Sequence, residues 1–149
     1  MDPGHVRIGL AVSDPTRVVA QPHATLASHG DRADAGAIAL LARDLGVTRI
    51  VCGLPRRLDG TEGAAAAAAR RLAAAVAVAC GQPVELVDER FTSVAAERAL
   101  LAGGVRRRER RRVADRVAAA LLLQGVLGGA RPQHVVASAR APRPRPGAD

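Results

Sequence analysis

Between Arg49 and Pro55 the chain reads RIVCGLP, a run of apolar residues without the alternation of a strand that shows one face to water. A short strand of this kind is one buried on both faces, which calls for helices above and below a sheet. A second short apolar strand is predicted over Val84–Val87. Between them residues 61–80 form a predicted alanine-rich helix, with Arg70 and Arg71 on it and Thr61 as its cap. Upstream, HVRIGLAVS alternates Val6, Ile8, Leu10 and Val12 with smaller or polar residues, the period of a half-buried strand. RVVAQPHATLAS predicts its partner, joined through a turn at Asp14-Pro15. Ile38, Leu41 and Leu45 recur at helical spacing from Asp31 to Leu45, with Gly46 as a stop. Further helices are predicted over Ser93–Leu101 and Val113–Leu127. Paired strands followed by alternating helices and strands predict an α/β sheet with helices on its faces.

The 149 residues suit one domain with a real core. That domain is expected over residues 1–128, and the Pro- and Arg-rich tail over 129–149, ending in APRPRPGAD, is expected to be disordered. Arginines interrupt every long alanine stretch and no charged-then-apolar leader opens the chain. Neither a membrane span nor a signal peptide is therefore expected, and the expected location is the cytoplasm, with no membrane partner. Cys52 and Cys80 read as small buried hydrophobes, not as a disulfide or metal pair.

Basic residues number 22 against 14 acidic ones, a formal charge of +8, and every basic residue is arginine. GC-rich codons account for the choice of arginine better than for the surplus, which points to a polyanionic partner. Phe91 is the single aromatic residue. Base-stacking platforms are excluded on that count, which leaves phosphate contacts.

Three stretches carry acids in odd places. VELVDERFTS runs from an apolar strand into Asp88 and Glu89, at the carboxyl end of a strand, where α/β sheets collect their chemistry. Neighbouring strand residues face opposite sides, so one of the two belongs to any given cluster. Asp115 shares a helix face with Ala118, Ala119 and Leu122, although alone it reads as an acid offsetting the helix dipole or pairing with Arg112 or Arg116. Asp2, in MDPGHVRIG, reads alone as part of a turn.

Taken in order, DPGHVRIGLAVSD, IVCGLPRRLDGTEG, VDERFTSVAAERAL and VADRVAAALLLQGVL resemble the YqgF/RuvX family, described as pre-16S rRNA nucleases and as Holliday junction resolvases. The resemblance covers Asp2 to Leu127. It implies an RNase H-like α/β fold with a mixed five-stranded sheet whose second strand is antiparallel. In the family several apolar residues precede DPG and form the first, central strand, whereas here only Met1 does. The first strand is accordingly expected to be largely absent, the natural chain to begin upstream, and the 149-residue form to fold poorly or lack activity.

The same resemblance implies that Asp2, Glu89 and Asp115 are catalytic carboxylates holding Mg²⁺ or Mn²⁺, hard cations that prefer oxygen ligands, with Asp88 in reserve. Two ions about 4 Å apart would activate water and steady the leaving oxygen of a phosphodiester. The implied activity is a metal-dependent endonuclease maturing the 5′ end of pre-16S rRNA, and the implied partner is structured RNA. The alternatives are a resolvase acting on branched DNA and a binding module that does not cleave. Resolvases of the related fold carry a further acid three residues beyond the first on the last helix, where this chain has Ala118. A homodimer is left open.

Arg7 and Arg90 are placed to contact phosphate near the site, or Arg7 to pair with Asp14. In PRRLDGTEG, Arg56, Arg57 and Thr61 either touch substrate or flank an ordinary Asp59-Gly60 turn. The run RRRERRR, with Arg106, Arg107, Arg108, Arg110, Arg111 and Arg112, directly precedes Asp115 and is expected to grip phosphates. His5, His23, His29 and His134 are expected at the surface.

Overall fold

The computed structural model describes residues 1–91 and 107–137. The helix predicted over Ser93–Leu101, and the tail beyond residue 137, lie outside the described residues. In chain order come β1 (Asp2–Pro3), β2 (Arg7–Ser13), β3 (Ala20–Ala27), α1 (Asp31–Asp44), β4 (Ile50–Leu54), α2 (Ala64–Cys80) and β5 (Val84–Asp88). A 3-10 turn (Glu89–Phe91) follows, then α3 (Arg107–Leu127) and β6 (His134–Val136).

The strands form two three-stranded sheets, β1-β2-β3 and β4-β5-β6. The first is antiparallel throughout; in the second, β4 and β5 run parallel and β6 is antiparallel to β5. Met1 spans the gap between them. Its ammonium donates to the Val51 carbonyl at 2.7 Å, and its own carbonyl accepts from the Gly53 N–H at 3.0 Å. The first strand, expected to be largely absent, thus survives as two residues paired with β2 and one residue bonded to β4.

Alternation along the strands divides the structure into two faces. Ile8, Leu10, Ile50, Cys52, Leu54, Val84 and Leu86 join one buried cluster with Ala66, Ala69, Leu72, Ala73, Val76 and Ala77 of α2. Their odd-numbered neighbours Val51 and Val87 pack on Leu122 and Val126 of α3 instead. Both faces of β4 are covered, as its uninterrupted apolar sequence requires. Cys52 is fully buried, and burial pushes its thiol up to about 12, whereas Cys80 is half-buried; neither is in a disulfide.

Three local expectations change. Thr61 does not cap α2, whose N-cap is Gly63; its hydroxyl donates to Asp59 Oδ1 at 2.6 Å and is spent in that turn. β3 starts at Ala20 because Asp14 Oδ1 accepts the N–H groups of both Val18 and Val19, at 2.8 Å each. The region from residue 129 is not disordered throughout: His134–Val136 extends the second sheet, supplying partners for the edge of β5, so the fold runs past the boundary expected at 128. Among the described residues no helix is long and apolar enough to cross a membrane.

Helix α3 lies on β2 at very close range. A β-carbon on Gly9 would collide with the Asp115 carbonyl oxygen, well inside contact distance. The docking is fixed at two further points. Gln124 reaches the loop before β3, accepting from the Ala20 N–H at 2.8 Å and donating to the Val18 carbonyl at 3.0 Å, and Thr25 donates to the Arg112 carbonyl at 2.6 Å. Because the obstacle at Gly9 is backbone, Gly9→Ala should destabilise the fold by about 1–3 kcal/mol through overpacking, measured by urea denaturation. An unchanged midpoint would mean that α3 can dock without this close approach.

Candidate carboxylate site

The α3 face gathers the acids. Asp2 sits opposite Gly9 in the β1–β2 ladder, so both point to the side on which α3 lies. Glu89 follows β5 two residues after Val87, which already packs on α3. Asp115 belongs to α3 itself. The Asp2 and Glu89 side chains are hydrogen-bonded to each other, and Asp115 lies within electrostatic reach of Asp2. Burial holds the Asp2 carboxyl above the usual carboxylate range, and Asp115 adds to the rise; the Glu89 hydrogen bond and the N-terminal ammonium oppose it.

Asp115 is engaged from its other side. Arg7 Nε donates to Asp115 Oδ2 at 2.6 Å, with both side chains a little under a third exposed. Arg7 therefore does not pair with Asp14, whose carboxylate is taken by Thr16, Val18 and Val19. As the side chains stand, no group of three or more His, Cys, Asp or Glu residues is spaced to hold a metal ion among the described residues.

Asp88 belongs to a different constellation. It is fully buried, accepts from Arg90 Nη2 at 2.7 Å, Arg90 Nε at 3.0 Å and the Arg90 backbone N–H at 2.9 Å, and has Arg56 Nε at 3.9 Å. Hydrogen bonds from Arg90 hold its carboxyl below the usual range. It is not brought together with Asp2, Glu89 and Asp115, because it follows Leu86 on the α2 side of the strand. Arg56 also reaches Glu62 at 3.3 Å, and Glu62 is clamped by Arg70 at 2.7 and 2.8 Å. Arg57 is exposed, with its guanidinium over Gly63. Arg111 and Arg112 are exposed; Arg106 and the side chains of Arg107, Arg108 and Arg110 lie outside the described residues. All four histidines are exposed and none joins the acids.

Two residues that shape the site were not singled out by sequence. Gly9 admits α3, and Gly53 admits Glu89: a β-carbon on residue 53 would stand 2.5 Å from Glu89 Oε1. A glycine inside an apolar strand signals close approach of another group, and both positions carried that signal.

The family described as "RuvX: Holliday junction resolvase" matches residues 1–129. Proteins named "Putative pre-16S rRNA nuclease" are similar along most of their length. That of Anaeromyxobacter dehalogenans strain 2CP-C is 49% identical over 127 residues, 85% of this chain and 93% of the relative. That of Myxococcus xanthus strain DK1622 is 45% identical over 132 residues, 89% and 87% of the two chains. That of Moorella thermoacetica is 43% identical over 127 residues, 85% and 91%.

The adjacent acids Asp88 and Glu89 should separate on substitution. Asp88→Ala leaves Arg56 and Arg90 facing an empty buried position and should cost about 2–3 kcal/mol, the low end for a broken buried pair because Arg90 is partly exposed. Glu89→Gln relieves a crowded acid pair and should leave stability unchanged or raised. The depressed Asp88 pKa makes its contribution complete above the ordinary carboxyl value, about 3.9, and lost as pH falls through the lower folded value. Urea midpoints between pH 2 and 7 check this; equal losses in the two variants would contradict the division of roles.

Proposed function

The chain belongs to the RuvX family, described as Holliday junction resolvases, and on that footing we propose that it is a nuclease hydrolysing phosphodiester bonds of precursor 16S rRNA, with Asp2, Glu89 and Asp115 as its metal-holding carboxylates. The observation that carries this reading is the meeting of Asp2 and Glu89 in one hydrogen bond with Asp115 in electrostatic reach. The two bonds from Met1 to β4 support reading the sheets as one, in the order β3-β2-β1-β4-β5, RNase H-like, with β6 added at the edge and the domain extended to it.

The donor set fits Mg²⁺ or Mn²⁺. All three candidate ligands are carboxylates, the choice of a hard cation, and burial, with Asp115 beside it, raises the Asp2 pKa, so that a cation there would favour its charged form. When bound, such a cation supplies activation of a water molecule and stabilisation of the leaving oxygen. The residues' own part begins before that. Arg7, held on Asp115 at the edge of the acids, would stand ready to contact a phosphate oxygen. Arg57, Arg111 and Arg112, all exposed, are candidates for phosphate contacts that position the backbone.

Precursor rRNA is favoured over branched DNA by the names of the relatives and by Ala118, which stands where resolvases of the related fold carry a further acid. The family description keeps a four-way DNA junction as the second reading. Both are tested by incubating a precursor 16S 5′ segment, a four-way junction and a plain duplex with and without Mn²⁺. Metal-dependent cutting of the RNA is expected, and Glu89→Gln and Asp115→Asn should each reduce it by about a hundredfold or more. Near-normal turnover in Asp115→Asn would leave that residue as the partner of Arg7 alone. Replacing Arg111 and Arg112 by serine should flatten the salt dependence of RNA binding by about 0.7–0.9 log unit for each phosphate-binding arginine removed. An unchanged slope would make them solvated surface.

A further inference from the structure

β5 ends at Asp88, and from Glu89 the backbone turns out of the sheet. Strand alternation sets side-chain direction only up to that point, so the aim of Glu89 needs another cause. Its carboxylate lies over Gly53, where any β-carbon would collide with it. Its two neighbours are drawn the other way. Asp88 stands opposite Leu54 in the β4–β5 ladder, both completely buried, and Leu54 belongs to the cluster packed on α2. Arg90 comes back to the same place. Its backbone N–H donates to Asp88 Oδ1 at 2.9 Å, its Nε to Oδ1 and Oδ2 at 3.1 and 3.0 Å, and its Nη2 to Oδ2 at 2.7 Å.

Among the described residues Asp88 accepts hydrogen bonds from Arg90 alone. Bonds between residues two apart join no distant parts of a fold; they fix the residue between them, which here is Glu89. Arg56 adds charge from behind, not a bond: its buried Nε stands 3.9 Å from Asp88 Oδ2 and makes no hydrogen bond. The turn after β4 backs the bracket on its outer side. Arg90 Nη1 lies 3.5 Å from where a β-carbon on Gly60 would be, and Asp59 is within electrostatic reach of Arg90. An apolar side chain would fill the Asp88 position without desolvating a carboxylate. What the acid contributes instead is a fixed conformation across residue 89. Arg90, read from the sequence as a phosphate contact, has its Nε and Nη2 committed to that task.

We propose that Asp88 and Arg90 are positioning residues: the bracket they form across Glu89 holds its carboxylate toward Asp2 and Asp115, and so sets the affinity of the three acids for a divalent cation. The proposal rests on the nuclease reading above. An arginine cannot ligate a cation, which makes Arg90→Ala the informative variant. With the full chain and no nucleic acid, Mn²⁺ binding is followed by the loss of the free-ion electron paramagnetic resonance signal; RNA binding and cutting of the precursor 16S 5′ segment are measured separately. Arg90→Ala should weaken Mn²⁺ binding about tenfold and lower kcat, with KM and the salt slope of RNA binding unchanged. Removing a positive charge would by charge alone tighten Mn²⁺, so the sign of the change separates positioning from electrostatics. Asp88→Asn should give a similar loss, the double variant no more than either single one, and Arg90→Lys a partial recovery. Val76→Ala, which loosens the α2 core, should bind Mn²⁺ as the wild type does. Unchanged or tighter Mn²⁺ binding in Arg90→Ala, or an equal loss in Val76→Ala, overturns the bracket alone. A raised KM with a flatter salt slope and unchanged Mn²⁺ binding returns Arg90 to phosphate and overturns it too. RNA left uncut while Arg90→Ala still loses Mn²⁺ supports the bracket and overturns the assignment to RNA. A wild type that binds no Mn²⁺ overturns the functional reading and the bracket with it.

Discussion

The carbonyl of Asp115 rests where a side chain on residue 9 would stand, and the rest of the site follows from that close approach. Only glycine lets a helix backbone come so near a strand. With α3 seated there, its Asp115 side chain falls beside Asp2, the cross-strand partner of Gly9, and beside Arg7, two residues earlier on the same face. The same alternation brings Val51 and Val87 under Leu122 and Val126, so apolar packing holds the C-terminal part of α3 while the acids meet it at Asp115. Gly53 repeats the device on β4, leaving room for Glu89.

Gathering three carboxylates in a partly buried place is electrostatically unfavourable, and the structure offsets it in two ways. Asp2 is hydrogen-bonded to Glu89 and lies near the N-terminal ammonium, and Asp115 takes the Arg7 guanidinium. The Arg7 pair is not a permanent neutralisation, since an ion pair of two partly exposed groups is weak. Asp88 shows the contrasting, fixed solution. It is completely buried, bound by Arg90 through two side-chain nitrogens and a backbone N–H, and backed by Arg56. One acid is thereby tied into the fold, and its sequence neighbour is left for exchangeable partners.

Much of this was legible in the sequence, and the gaps have physical causes. The uninterrupted RIVCGLP announced a strand covered on both faces, and the order of the four blocks brought Asp2, Glu89 and Asp115 to notice although they stand far apart along the chain. The choice between Asp88 and Glu89 was not legible, because alternation tells that they face opposite sides but not which side the last helix covers. The partner of Arg7 was hidden for the same reason. Thr61 looked like a cap since composition cannot show that Asp59 takes its hydroxyl first. β6 was lost in a region whose proline and arginine content masks three residues that gain order only by pairing with β5. Gly9 and Gly53 were visible as glycines in strands, yet their meaning depends on what approaches them in space.

If the three carboxylates form one centre, a divalent cation offsets their combined charge. Thermal melting of the wild type and of Glu89→Gln with increasing Mn²⁺ tests this most directly, because an ion bound only by the folded state must raise the melting temperature by mass action. The wild type is predicted to gain several degrees at millimolar Mn²⁺, and Glu89→Gln to give a flat response. A wild-type melting temperature indifferent to Mn²⁺, or the same rise in both proteins, would contradict the single-centre account.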